Sequence, residues 1–271
     1  MIVKVLLLIL FFAVMVGIGF YSRKHATNVD GFVLGGRSVG PWLTAFAYGT
    51  SYFSAVVFVG YAGQFGYKYG ISATWIGIGN ALIGSLLAWI VLGRRTRIMS
   101  KHLKAKTMPD YFGKRFDSNA LRVTAAVISF VFLIPYTASV YNGLSRLFEM
   151  AFDVPYTVCV VVMAALTCVY VILGGYMATA INDFVQGIVM LVGIVAVIAS
   201  VLNGQGGFMQ AVFKLSEISS DIPVTLGQQG AFTSFFGPDP LNLLGVVILT
   251  SLGTWGLPQM VSKFYAIRDE K

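Results

Sequence analysis

The chain has 271 residues, of which 57% are hydrophobic and only 11% are charged, and its mean hydropathy is +0.79. Soluble domains carry about 25% charged residues, so this composition excludes an ordinary water-soluble protein and indicates one embedded in a lipid bilayer. The net charge of +8 is confined to short stretches between apolar segments, which argues against a nucleic-acid partner.

Long stretches without a charged residue divide the chain into seven predicted transmembrane helices. Each stretch is close to or above the roughly 20 residues that a helix needs to cross a bilayer. The first, residues 5–22, has an apolar run too long for a signal peptide, so we interpret it as a retained helix. The other six stretches are residues 38–67, 69–93, 123–145, 154–182, 184–213 and 240–262.

Basic residues are distributed unevenly between these helices. With seven alternating helices, 15 of the 19 Lys and Arg residues fall on one side, in residues 23–41, in residues 94–122 and in the tail after residue 262. Cytoplasmic segments of membrane proteins carry the excess of Lys and Arg. The sequence therefore predicts a multi-pass protein of the plasma (inner) membrane, with its N-terminus outside and its C-terminus in the cytoplasm.

The second predicted helix carries polar residues in its middle. Residues 42–60 read WLTAFAYGTSYFSAVVFVG, and the central part, residues 48–54, contains a glycine and several hydroxyl groups. One interpretation is a helix broken within the membrane, whose main-chain carbonyls can bind a small cation. The other is a small-residue packing face that binds no ligand.

Two features follow near the end of the chain. Residues 203–240 are rich in Gly, Gln and Ser, and within them residues 208–218 have the apolar spacing of a short interfacial helix. The last predicted helix then contains two glycines and a proline in residues 250–258, which will not form a straight helix. Interrupted helices at corresponding positions of two halves are typical of a transporter site.

Four motifs along the chain carry a family resemblance. They are residues 32–38 (FVLGGRS), residues 49–55 (GTSYFSA) followed by Gly60, residues 174–178 (GGYMA) followed by Asn182, Asp183 and Gln186, and Trp255-Gly256 with Gln259. In this order and spacing they resemble the sodium:solute symporter family, which includes the bacterial proline and pantothenate permeases and the sodium/glucose, iodide and sialic acid transporters. The resemblance covers residues 5–271, but only about the first half of a family member.

The resemblance implies an all-α integral membrane protein with the five-plus-five inverted-repeat (LeuT-type) transporter fold, here incomplete, with about seven transmembrane helices. It places an extra N-terminal helix at residues 1–22 and the first five-helix repeat at residues 42–202. Residues 203–240 would be an extracellular loop, and residues 241–271 the first helix of a truncated second repeat. We therefore expect the missing C-terminal half of the transporter as a partner.

The resemblance also implies that sodium is the coupling ion. By alignment, main-chain carbonyls of Thr50 and Phe53 would bind it, and some members use the carboxylate aligned with Asp183 for a second sodium ion. Asp183 is the only charged residue in residues 154–213, and a carboxylate inside a bilayer costs roughly 2.5–3.5 kcal/mol. Alternatively, Asp183 lies in a short cytoplasmic turn and caps the following helix.

Eight polar or amphipathic residues within the apolar segments are candidates to line a solute cavity, although each could instead make a helix-packing contact. They are Tyr52, Ser54, Thr74, Asn80, Tyr136, Ser251, Thr254 and Trp255. Two of these residues, Tyr52 and Thr254, differ from the residues that some family members have at the same positions. Proline permeases have a carboxylate at the position of Tyr52, which argues against proline as the solute, and sugar transporters have an aromatic gate at the position of Thr254.

The sequence thus predicts a sodium-coupled symporter that imports a small polar organic solute by alternating access. It predicts neither an enzyme nor an organic cofactor, because no motif resembles a nucleophile, a metal cluster or a phosphate loop. The alternative is a seven-helix membrane receptor or light-driven pump, which shares the predicted topology. Against the pump, no lysine lies inside the last predicted helix to hold retinal, since Lys263 follows its end.

Overall fold

The computed structural model describes residues 2–52 and 61–268, and within these ranges every regular element is a helix. Short 3-10 turns join several helices, and the helix after α5 widens into two π-helical stretches, Asn80–Leu87 and Trp89–Gly93. The α-helices are α1 (Ile2–Ser22), α2 (Val29–Leu34), α3 (Pro41–Tyr52), α4 (Gly63–Tyr69), α5 (Thr74–Gly79), α6 (Arg94–His102), α7 (Met108–Arg115), α8 (Asn119–Phe152), α9 (Tyr156–Gly204), α10 (Phe208–Ser216), α11 (Pro240–Leu252) and α12 (Pro258–Ala266).

Four helical segments of the described chain are long and apolar enough to cross a membrane, or five if one interrupted pair counts as a span. The prediction of an all-α membrane protein is confirmed, whereas the count of seven helices and the inverted repeat are not. The two predicted spans, residues 154–182 and 184–213, fall largely within α9, which is interrupted at Gly175. The four segments are Val5–His25, Gly63–His102, Asn119–Phe152 and Tyr156–Gly204, and the pair is Pro240–Gly256 with Pro258–Ala266.

Helix α9 breaks at Gly175 and not at Asp183, where the charge pattern placed the boundary. Gly175 has φ 55° and ψ −146°, a conformation that only glycine adopts readily. A Cβ at this residue would lie 2.7 Å from the carbonyl oxygen of Phe32. Asp183 therefore lies within the helical residues 176–204, and the interpretation that it occupies a turn and caps the next helix is wrong.

The described residues form two compact units, and each is described by itself. The first unit comprises Met1–Val59, Leu92–Gly187 and Leu257–Lys271, and the second comprises Gly60–Val91 and Ile188–Gly256. The first unit contains the motif residues of α3, the middle of α9 and α12. The second contains α5, the first π-helical stretch and α11.

Two arginines, the half-buried Arg37 and the buried Arg97, hold together the segments around α12 in the first unit. Arg37 donates hydrogen bonds to the carbonyl oxygens of Ala105 (2.6 Å) and Tyr265 (3.3 Å), and Arg97 donates to that of Ile267 (2.6 Å). Burial and then the charge of Arg97 lower the pKa of Arg37 below its ordinary value. Both arginines lie in segments that the distribution of charged residues predicted to be cytoplasmic loops. Arg97 is only 3% exposed, so its charge also has a structural use.

The chain before α3 pairs directly with the chain after α12. Val39 and Ile267 form a parallel β-bridge, in which the Val39 amide donates to Ala266 and the Arg268 amide donates to Val39. Val39 and Ala266 are fully buried in a small apolar cluster with Met177 of α9. Helices α3, α9 and α12 are therefore held together at this end of the first unit.

In the second unit, α11 packs closely against the end of α5. A Cβ at Gly79 would lie 2.5 Å from a methyl group of Val247 and 3.0 Å from the Ser251 hydroxyl, so glycine permits the approach. The segment after α10 packs on the start of α5, where the Trp75 indole donates to the carbonyl oxygen of Phe235 (2.9 Å). α10 forms where a short helix was expected, and its place at a membrane surface stays a prediction.

Candidate functional site

Helix α3 carries Thr50, one of the two predicted carbonyl ligands. The Thr50 hydroxyl donates to the carbonyl oxygen of Phe46 (2.8 Å) and the Ser51 hydroxyl donates to that of Ala47 (2.7 Å). The helix is regular through Tyr52, so the interruption expected from Tyr48 onward is not present in residues 48–52. Phe53 and Ser54 lie outside the described residues, and sodium binding by Thr50 and Phe53 stays a prediction.

Thr50 packs one turn of α9 away from Asp183. A Cβ at Gly187 would lie 3.1 Å from the Thr50 methyl group and 2.5 Å from the Phe46 ring, so the two helices meet at this glycine. The rings of Phe46 and Phe184 also stack edge to face at 4.7 Å. Because Gly187 lies four residues after Asp183, Thr50 of α3 packs on the face of α9 that carries Asp183.

Asp183 has a buried cationic partner. The Lys263 ammonium lies 3.5 Å from Asp183 Oδ2, with side-chain exposures of 8% for Lys263 and 23% for Asp183. The same ammonium lies 5.1 Å from the ring centre of Tyr176, within cation–π range. Lys263 lies inside α12 and not in a tail after the last helix, because α12 continues to Ala266 and residues 264–266 are buried.

The sequence did contain a signal for Lys263. Apolar residues flank it on both sides, from Met260 to Ile267, and Gln259 precedes it by one helical turn. Because the predicted span was ended at its first charged residue, helix α12 was not predicted. A lysine between two apolar runs can form an ion pair inside the fold, or it can mark the end of a transmembrane helix.

The second unit brings four predicted cavity residues together. The Asn80 side-chain oxygen accepts hydrogen bonds from the hydroxyls of Thr250 (3.0 Å) and Ser251 (3.1 Å), and Asn80 and Ser251 are buried. The Trp255 indole donates to the carbonyl oxygen of Ile83 (3.1 Å), and the Thr254 hydroxyl donates to that of Ser251 (3.0 Å). Thr250 was not among the predicted cavity residues, although it adjoins Ser251.

Local backbone geometry sets this arrangement. Asn80 begins the π-helical stretch, and π turns offset main-chain carbonyls such as that of Ile83 from the usual ladder. At the other side, α11 ends at Leu252, Gly253–Gly256 form a 3-10 turn, and Leu257 is extended (φ −70°, ψ 126°) before α12. The predicted interruption of the last helix is confirmed.

The remaining predicted cavity residues occupy separate places. Thr74 begins α5, is exposed to solvent or lipid, and donates its hydroxyl to the carbonyl oxygen of Ile71 (2.8 Å). Tyr136 is half-buried in α8, in the first unit, and its carbonyl oxygen accepts a hydrogen bond from Ser139. Tyr52 is buried at the end of α3 and its ring lies 6.2 Å from that of Tyr48.

The sequence matches the model of the sodium:solute symporter family over residues 32–271. The chain is also 34% identical over 275 residues to the sodium/proline symporters of Staphylococcus aureus strains JH9, Mu3 / ATCC 700698 and NCTC 8325 / PS 47. Each alignment covers 98% of this chain and 50% of the relative, so the chain spans about half the length of the curated relatives it matches. This coverage does not by itself support a missing C-terminal half of the transporter, and the missing half stays a prediction.

The family is one of transporters and not of enzymes, as the sequence predicted, and it implies sodium as the coupling ion and a small solute as cargo. It also argues against the receptor and the light-driven pump. The motif residues of α3, α9 and the α11–α12 junction all fall within the matched range. The chain belongs to the sodium:solute symporter family.

Proposed function

We propose that the protein imports a small polar organic solute together with sodium across the cell membrane, by alternating access. The observation that carries this proposal is the Asp183 carboxylate. It lies inside the described membrane-length helix α9 and pairs with Lys263 of α12. A carboxylate within a bilayer costs roughly 2.5–3.5 kcal/mol, so such residues usually serve an ion pathway. Membership of a sodium:solute symporter family supports sodium as the cation that this carboxylate serves.

The proposed sodium contacts are the carbonyls of Thr50 and Phe53 and the carboxylate of Asp183. Packing of Thr50 beside Gly187, one turn from Asp183, supports this assignment. One sodium ion moving inward across about −100 mV releases about 2.3 kcal/mol, which corresponds to accumulation on the order of 50-fold. This driving force is enough for uptake without chemical change of the solute.

The proposed solute contacts come from the cluster of Asn80, Ser251, Thr254 and Trp255, with Tyr52, Ser54, Thr74 and Tyr136 as further cavity residues. Support comes from the convergence of an amide, hydroxyls and an indole on the described part of the second unit. Such groups orient a polar solute by hydrogen bonds. These roles assume the five-plus-five repeat, with residues 1–22 before it, residues 42–202 as the first repeat and residues 241–271 opening the second.

Proline is the first solute to test, since the relatives are named sodium/proline symporters. Tyr52, which stands where proline permeases have a carboxylate, argues for a different solute. The experiment is uptake of radiolabelled proline, and of a panel of other amino acids and small carboxylates, by vesicles from cells that express the native gene. We expect one solute to accumulate with an inward sodium gradient and not with an equal potassium gradient. Equal uptake under both gradients for every solute would contradict sodium coupling.

A further inference from the structure

The distance between the Lys263 ammonium and the Asp183 carboxylate is longer than in a strong ion pair. Its ammonium lies 3.5 Å from Asp183 Oδ2, whereas short charge-assisted hydrogen bonds measure about 2.7–2.9 Å. The face of the Tyr176 ring, 5.1 Å away, provides a second attraction for the same ammonium. Lysine carries a compact charge on a flexible four-carbon stem, so the ammonium can move between these partners without a change in the helix.

Three further polar side chains lie on α9 and α12, the two helices that carry this pair. The side-chain amides of Asn182 and Gln259 and the hydroxyl of Tyr176 are buried and have no hydrogen-bond partner among the residues that the structure describes. Asn182 is 1% exposed and adjoins Asp183, and Gln259 lies one turn before Lys263 on α12. Leaving a buried polar group without a hydrogen-bond partner is unfavourable, and a bound ligand would supply such a partner.

Amide and hydroxyl oxygens beside a carboxylate suit a small hard cation. Two full positive charges at the half-buried Asp183 carboxylate would leave one of them without compensation, which is unfavourable. A mobile cation and the Lys263 ammonium therefore exclude each other at Asp183.

We propose that Lys263 is a tethered competitor for a monovalent cation site formed by Asp183 with the side-chain oxygens of Asn182, Gln259 and Tyr176. The cation reaches the Asp183 carboxylate when the ammonium withdraws toward the face of the Tyr176 ring, and the ammonium returns when the cation leaves. The identity of the cation as sodium rests on the proposed function. The competition itself rests on the geometry of α9 and α12.

The test measures stabilisation of the purified protein in lipid nanodiscs by NaCl, with choline chloride keeping the ionic strength constant. We expect Lys263→Gln to reach half-maximal stabilisation at a sodium concentration at least tenfold lower than wild type. Lys263→Arg, which binds a carboxylate in two places, should need more sodium than wild type. The double variant Asp183→Asn/Lys263→Gln should show no stabilisation from this site.

Lys214→Gln is the matched control, since Lys214 is an exposed lysine that bonds Gln205, and it should behave as wild type. An unchanged sodium midpoint in Lys263→Gln, or no sodium response in that variant, overturns the proposal. If Lys263→Gln does not fold, Lys263→Arg and the double variant decide, because both keep the buried charge balanced. In that case the proposal is overturned if both of these variants have the wild-type sodium midpoint.

Uptake and sodium stabilisation separate this inference from the proposed function. Failure of sodium-driven uptake together with a lowered midpoint in Lys263→Gln removes the proposed function and leaves the cation competition in place. Sodium-driven uptake with an unshifted midpoint removes the competition alone.

Discussion

At the scale of single residues, the most informative side chain is the Asp183 carboxylate. It lies within a helix, beside the face that carries Gly187, and its counter-ion comes from Lys263 of a helix 80 residues later in the chain. Breaking a buried ion pair by removing one partner costs about 3–5 kcal/mol, more than losing a helix cap. A substitution at Asp183 therefore changes both stability and sodium affinity, and the two effects need separate variants.

We predict that Asp183→Asn raises the sodium concentration for half-maximal uptake roughly tenfold or more, because an amide offers a dipole where the carboxylate offers a full charge. The same variant should be less stable, since Lys263 stays buried without its anion. Adding Lys263→Gln should restore stability and leave the sodium defect. Uptake against sodium at matched expression, together with thermal unfolding, measures both. A sodium curve in Asp183→Asn identical to wild type would remove Asp183 from the proposed sodium contacts.

Asn80 is the second residue with several partners. We predict that Asn80→Leu lowers the free energy of unfolding by about 1–3 kcal/mol, because the hydroxyls of Thr250 and Ser251 lose a shared buried acceptor. The control is Thr74→Val, whose hydroxyl is exposed and should cost little. Denaturant unfolding in detergent compares the variants. Equal stabilities of Asn80→Leu and Thr74→Val would show that the cluster contributes nothing to the fold.

At the scale of elements, glycine and proline decide where the apolar helices stop. Gly175 breaks α9 by its positive φ, and the approach of Phe32 leaves no room for a side chain. Gly253, Gly256 and Pro258 interrupt the last helix, where a 3-10 turn and an extended residue precede α12. Interrupted helices leave main-chain groups outside the regular ladder, and a membrane protein tolerates these only where protein or a cavity covers them.

We predict that Gly175→Ala destabilises the protein by about 1–3 kcal/mol or more, because alanine is strained at φ 55° and its Cβ would meet the Phe32 carbonyl. The matched control is Gly193→Ala in the same helix, where a Cβ would meet nothing within 4 Å. Alanine is the better helix former, so Gly193→Ala should be neutral or more stable by up to about 1 kcal/mol. Thermal unfolding in detergent compares them. Equal melting temperatures would contradict the special role of Gly175.

At the scale of the whole molecule, orientation in the membrane follows from the distribution of basic residues. Two charges of the predicted cytoplasmic set, Lys263 and Arg97, are buried within the fold. Residues 94–122 carry nine Lys and Arg residues, of which four lie between the described segments Gly63–His102 and Asn119–Phe152 and five lie within their ends. Orientation depends on charges close to the ends of the spans, and the cytoplasmic C-terminus stays a prediction.

We predict that cysteines at Asp30 and Lys101 react with an impermeant reagent from the cytoplasmic side only, and one at Gln228 from the outside only. All three residues are exposed, whereas the nearby Ala105 is fully buried and would report burial instead of topology. The native Cys159 and Cys168 are first replaced by serine. Labelling of Lys101→Cys from the outside would overturn the predicted orientation.

The sequence alone determined the membrane class, the interruption near Pro258 and the family. Apolar content, glycine and proline positions, and motif spacing are local properties, so they can be read without knowing which helices pack together. The partners of Asp183 and Asn80 were decided by the tertiary structure. Lys263 and Ser251 lie 80 and 171 residues away from them, and no local pattern specifies a contact at that separation.

Two boundaries were also decided by tertiary contacts. Counting charges placed the division of α9 at Asp183 and the end of the last helix before Lys263, because an isolated charge in an apolar window reads as exposed to water. In the folded chain the two charges meet, each compensates the other, and both stay within helices. The physical reason is that the free energy of burying a charge depends on its neighbours in space, which the order of residues does not show.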